Sequence, residues 1–162
     1  MKAFQETNVF LIALSFLVAI VLTILPLPHW AVWLRPQWVL AVLLFWVLTS
    51  SEQSGIATAW VIGILMDLVT GTPLGLQAFV FVVLSYGVLR LRTIIEHLPI
   101  WQQASAIGVF VFLNGLLQGM GLSWMGHGAH IGLHTLSAIT TTLIWPWIFS
   151  ALNQLRPRAL IR

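Results

Sequence analysis

Six apolar stretches, separated by short polar or proline-bearing breaks, set the pattern of this chain: Val9–Leu25, Val32–Thr49, Gly55–Val69, Leu76–Leu91, Ile100–Leu122 and Leu133–Leu152. A helix that crosses a bilayer needs about 20 mainly apolar residues, and most of these stretches reach or approach that length. The second and third are short for a straight crossing. Arg35 and Pro36 stand near the start of the second, so its regular helix is expected only from Gln37 or Trp38. Irregular backbone at such breaks must lie against protein, because lipid cannot satisfy it. No repeat of fixed period and no low-complexity linker divides the chain. The pattern predicts an all-α integral membrane protein, a bundle of six spans forming one transmembrane domain over residues 1–162.

The third stretch carries a second pattern inside the first. Gly55, Ala59, Gly63, Asp67, Gly71 and Gly75 recur at four-residue intervals among Ile, Val, Leu, Met and Trp. A four-residue step on a helix returns to nearly the same face. Small residues on that face let another helix backbone approach closely, the usual basis of helix association in lipid. A weaker seam of the same kind is expected in the fifth stretch, where Asn114 and Gln118 lie beside Gly115 and Gly119. Ser137 and Thr140 to Thr142 of the sixth stretch read as packing positions too.

Composition turns the pattern into a class. The chain is 59% hydrophobic and only 7% charged, where a soluble domain is about one-quarter charged. Lipid rather than water must cover most of its surface. The basic balance comes from seven bases against four acids and forms no dense patch, which argues against nucleic acid. There are no cysteines, so disulfides, thiolate catalysis and cysteine metal sites are excluded. The first stretch is followed by Pro26-Leu27-Pro28-His29-Trp30 with no small-residue cleavage site, and reads as a retained anchor. Six of the seven bases (Lys2, Arg90, Arg92, Arg156, Arg158 and Arg162) fall on one side of a six-span arrangement, and Arg35 on the other. The positive-inside rule then places both termini in the cytoplasm. Trp30, Trp33, Trp38, Trp101, Trp124, Trp145 and Trp147 lie near span ends, where interface anchors are expected.

Few residues offer chemistry. Asp67 is a carboxyl group within an apolar segment, and such a group needs a partner. A functional carboxyl would bind a cation, relay a proton or pair with a base, of which Arg35 is expected at similar depth; a structural one would cap the turn around Thr70–Thr72 or reach interfacial water. Arg35-Pro36 can present a guanidinium to lipid phosphate or a carboxylate, or can snorkel at the interface. His127, His130 and His134 have a spacing that would share a helical face, but their glycine-rich surroundings read as a loop with no accompanying acid, so no metal is expected. No nucleophile motif, zinc-protease motif or phosphate loop is present. Neither an enzyme nor a cofactor is expected.

Four runs together resemble the MreD family of rod shape-determining proteins, in the form found in Gram-negative rods. They are Arg35-Pro36-Gln37-Trp38-Val39-Leu40 running on to Trp46, the G-x-x-x-D-L-x-x-G-x-x-L-G run from Gly63 to Gly75, Trp101-Gln102-Gln103, and Trp145-Pro146-Trp147-Ile148-Phe149. The resemblance implies a non-enzymatic inner-membrane component of the cell-elongation machinery. It implies a single-span MreC-type partner and, through it, MreB filaments, RodA and a class B penicillin-binding protein that build lateral peptidoglycan. It also implies a fold similar to the six-helix substrate-binding subunits of energy-coupling-factor vitamin transporters. Arg35, Pro36, Gly63, Asp67, Gly71 and Gly75 are the motif positions it carries over, as packing and docking residues. The alternative is a vitamin-like binding subunit of a transporter, with Asp67, Arg35, Asn114, Gln118 and aromatic residues lining a pocket.

Overall fold

The computed structural model describes residues 2–26, 28, 34–49, 52–126 and 134–155. Those residues form six helices: α1 (Lys2–Ile24), α2 (Trp38–Thr49), α3 (Glu52–Thr70), α4 (Leu76–His97), α5 (Ile100–Trp124) and α6 (His134–Leu155). Each of the six expected stretches contains a helix; α1, α3 and α4 run on past it into polar residues, whereas α2 begins only at Trp38. α4 and α5 are long and apolar enough to cross a membrane; α1, α2 and α3 contribute shorter apolar helices. The outer surface is apolar over much of its area. Phe10, Leu17, Val61, Leu68, Phe79, Val109 and Leu143 are each more than half exposed, a distribution that suits lipid rather than water.

α2 is the axis of the bundle. Val39 to Leu48 are all buried, so the helix is apolar on every side because it touches protein on every side. α1, α3, α4, α5 and α6 all pack against it, while α3 packs on α4, α4 on α5, and α5 on α6. Around it Phe45 meets the edges of Trp46 and Phe149 at 5.4 and 5.6 Å, and Trp145 lies beside Phe149. Trp145 is completely buried, which corrects its assignment as an interface anchor: its ring fills the core next to α2. Trp101, Trp124 and Trp147 are largely exposed, as anchors require. Trp30 and Trp33 lie outside the described residues.

At 12 residues, α2 spans about 18 Å, short of the ~30 Å hydrocarbon core. Its short length follows from where it starts. Gln37 meets Thr141, two turns into α6, and Asn114, in the middle of α5. The non-helical Arg35-Pro36-Gln37 backbone therefore enters the bundle half-buried, and α6 supplies hydrogen-bond partners for the Arg35 carbonyl and the Gln37 N–H, as irregular backbone in a membrane requires.

Candidate functional site

Asp67 organises the α3–α4 turn. Its main-chain carbonyl accepts from the Thr72 N–H at 3.2 Å, the six-to-one bond that closes a helix on a left-handed residue. That residue is Gly71, with φ +68°. The side chain, only 1% exposed, reaches the next helix. Its Oδ1 accepts from the Thr72 hydroxyl at 2.7 Å and the Gln77 N–H at 3.0 Å, and Oδ2 accepts from the Gly75 N–H at 2.8 Å. Gly75 is the residue preceding α4 and has no side chain to cap it. The acid of one helix thus supplies the acceptors that the first turn of the next one lacks, where a carboxylate also complements the helix dipole. Gln77 closes the network by donating from Nε2 to the hydroxyls of Thr70 and Thr72.

This geometry makes Asp67 a cap on the α3–α4 turn. Among the described residues it forms no ion pair with Arg35, and the expected pairing is corrected to a cap. The Arg35 guanidinium instead donates to the carbonyls of Thr23 and Leu25 at 2.5 and 2.6 Å, satisfying acceptors that the C-terminal end of α1 leaves open. A planar fork suits two adjacent carbonyls. Truncation by Arg35→Ala is expected to cost roughly 3 kcal/mol, from two hydrogen bonds to a charged group. Arg35→Lys should recover about half of that, measured by denaturation in mixed micelles. Recovery equal to wild type would show that the fork geometry is irrelevant.

The rest of this segment is tied to α5 and α6. Ser137 donates to the Arg35 carbonyl at 2.9 Å, the Gln37 N–H donates to the Thr141 hydroxyl at 3.1 Å, and Asn114 donates to Gln37 Oε1 at 2.5 Å. Gln118 donates to Asn114 Oδ1 at 3.1 Å. Of the amide pair, Asn114 reaches another element through Gln37, a residue that the sequence did not single out, while Gln118 bonds within α5. Gln37 was unremarkable in sequence because its partners lie 77 and 104 positions away.

The small-residue stripe divides in two. Gly55, Ala59 and Gly63 are buried and form a seam inside the bundle. A Cβ on Gly63 would overlap the Cα of Ala78 in α4, whereas one on Gly55 would meet Val47 of α2 at an ordinary 3.5 Å. Gly71 and Gly75 do not belong to that seam, although the four-residue spacing runs on through them. The helix ends at Thr70, and both are turn residues with φ of +68° and +95° and open space where a Cβ would go. Gly71→Ala is accordingly expected to cost only about 1–2 kcal/mol of backbone strain. It should leave the α3–α4 distance unchanged, which a spin-label pair across the two helices would check. In α5, Gly115 and Gly119 are buried as the second seam requires. A close approach lies at Gly108, where a Cβ would overlap the Thr142 hydroxyl of α6. Residues 127–133, with His127 and His130, lie outside the described residues.

Comparison with known proteins fixes the family. Residues 5–155 match the family of the rod shape-determining protein MreD. The chain belongs to the MreD family. It is 30% identical over 155 residues to the rod shape-determining protein MreD of Haemophilus influenzae, with 91% of each chain covered. No solved structure matches. Family membership assigns a role in rod shape determination, and in an MreD protein the Gly63–Gly75 run now has a physical content: a close helix contact followed by a turn locked by one acid.

Proposed function

We propose that this MreD-family chain is a scaffold of the cell-elongation machinery in the bacterial inner membrane. It crosses the membrane six times, has both termini in the cytoplasm, and performs no catalysis. It docks an MreC-type single-span protein and through it supports MreB filaments, RodA and a class B penicillin-binding protein in lateral peptidoglycan synthesis. The observation that carries this reading is the use of polar groups. Asp67, Arg35, Gln37, Asn114 and Gln118 direct hydrogen bonds at the chain's own backbone and side chains, so they hold the bundle in one shape rather than present reactive groups. A scaffold needs that rigidity, because helices in lipid associate by shape and a few polar contacts.

The transporter reading, with its likeness to vitamin-binding subunits, has Asp67, Arg35, Asn114, Gln118 and aromatic residues line a pocket, and the hydrogen bonds just named already engage those four polar side chains within the chain. Depletion separates the two readings. Rod-shaped cells depleted of the protein are expected to become round while the uptake of labelled vitamins stays normal. Normal shape with vitamin auxotrophy would establish the transport reading instead.

A further inference from the structure

The apolar surface that faces lipid has a height, and on one side of the bundle that height is low. On α1 the exposed apolar residues run from Phe10 to Leu25, preceded in sequence by Gln5-Glu6-Thr7-Asn8. On α3 the apolar run extends from Gly55 to Val69, between Glu52-Gln53-Ser54 and the exposed Thr70. On α4 the exposed Phe79, Val83 and Tyr86 lead to the exposed Arg90. At 1.5 Å per residue these runs are about 20–22 Å tall, against ~30 Å for an ordinary hydrocarbon core.

The borders of the three runs coincide. Residues 12–21 of α1 and 57–65 of α3 line one cleft, and chain order makes the two helices run the same way, so their apolar runs lie side by side. Gly63 stands against Ala78 of the antiparallel α4; counting away from that contact brings Glu52 level with Leu89, beside Arg90. At the opposite border the Arg35 guanidinium lies on the Thr23 and Leu25 carbonyls, and the Asp67 network fills the turn between α3 and α4.

A short apolar band meets a taller bilayer by snorkelling of its flanking residues, by association with other helices, or by thinning the lipid around it; tilt only lowers the band further. Snorkelling is closed to the two border arginines. Arg90 turns toward the membrane interior, its Nε and Nη2 donating to the Tyr86 hydroxyl at 2.8 and 2.5 Å and its guanidinium 5.0 Å from that ring. Arg35 is held by two carbonyls. α4 continues to His97, but past Arg90 its exposed positions include Thr93, Glu96 and His97. α5 differs: the exposed Trp101 and Trp124 stand about 34 Å apart, which suits a full hydrocarbon core between interface anchors. We propose that the α1–α3–α4 side of this protein thins the bilayer against it and so selects lipids with short acyl chains. The proposal rests on the membrane-spanning reading and is independent of any docked partner.

The test reconstitutes the purified full chain into phosphatidylcholine vesicles with acyl chains of about 14, 18 and 22 carbons. Brominated lipids of each length quench tryptophan and report relative affinity; the share of quenching lost in Trp60→Phe isolates the exposed Trp60 of α3. At Trp60 the shortest lipid is expected to bind roughly three-fold or more tightly than the longest. Arg90→Leu joins Tyr86 to the exposed Ile94 in one apolar strip and should move the preference toward longer chains. Equal affinity across the three lengths, or tightest binding at either longer one, would overturn the proposal. An unshifted preference in Arg90→Leu would overturn the border from which the height is measured. Absence of quenching by any of the lipids would instead remove the membrane-spanning reading itself.

Discussion

Substituting Gly63 by leucine is expected to abolish the folded bundle. The reason is geometric. A Cβ at this position would overlap the Cα of Ala78 and crowd its nitrogen, so the obstacle is backbone, which cannot rotate out of the way as a side chain can. Ordinary overpacking of a core costs about 1–3 kcal/mol; displacement of one helix backbone from another lies above that range. Gly63→Ala should already be strongly destabilised, because its single added carbon is the one that overlaps. Gly55→Ala provides the control. It belongs to the same stripe, is equally buried, and faces Val47 at ordinary contact distance. Replacing glycine by alanine in a helix gains about 0.5–1 kcal/mol, so Gly55→Ala is expected to match or exceed the wild-type chain. Unfolding of the purified protein in mixed micelles measures both. Equal tolerance of alanine at the two positions would mean that α3 and α4 do not meet at Gly63.

Asp67→Ala is expected to have the second-largest effect. It leaves the Gly75 and Gln77 N–H groups and the Thr72 hydroxyl without their acceptor, at a carboxyl that is itself buried and beside a buried Gln77. At roughly 1–3 kcal/mol for each buried group left unsatisfied, the loss is expected to exceed 3 kcal/mol. Asp67→Asn retains one acceptor oxygen and should fall between wild type and alanine. Asp67→Glu keeps the carboxyl group but moves it by one methylene relative to three fixed donors, and should resemble Asn more than wild type. The expected order of stability is therefore wild type, then Asn and Glu, then Ala. Because Asp67 has no ionic partner in Arg35, the double variant Asp67→Ala with Arg35→Ala should show additive losses, as independent sites do. Strong coupling between the two would restore the ion pair that the geometry rules out.

These two residues also show how far the sequence could be read. Six helices were legible from hydrophobic periodicity, because lipid-facing and core-facing residues alike are apolar and the breaks between them are short. The late start of α2 was legible from Pro36, whose ring removes a donor and disfavours helix before it. The seam at Gly55, Ala59 and Gly63 was legible as a four-residue stripe. Its limit was not: Gly71 and Gly75 continue the spacing by coincidence, and only the end of the helix at Thr70 separates a packing glycine from a turn glycine. Asp67 was open between two partners because sequence gives depth but not direction. Its acceptors serve donors five to ten residues ahead, a local solution, while the ion pair with Arg35 was the distant one. Gln37 went unnoticed for the opposite reason, since its partners in α5 and α6 come together only when the bundle forms. Trp145 was misplaced because a tryptophan near a span end has the same local sequence whether it faces the interface or the core.

Shape determination by this MreD-family protein is expected to depend on the close α3–α4 contact at Gly63. The most direct measurement is the width and length of cells depleted of the native chain and supplied with either Gly55→Ala or Gly63→Leu at equal expression. Rods are expected with Gly55→Ala and round cells with Gly63→Leu. Rods supported by Gly63→Leu at wild-type dimensions would contradict it.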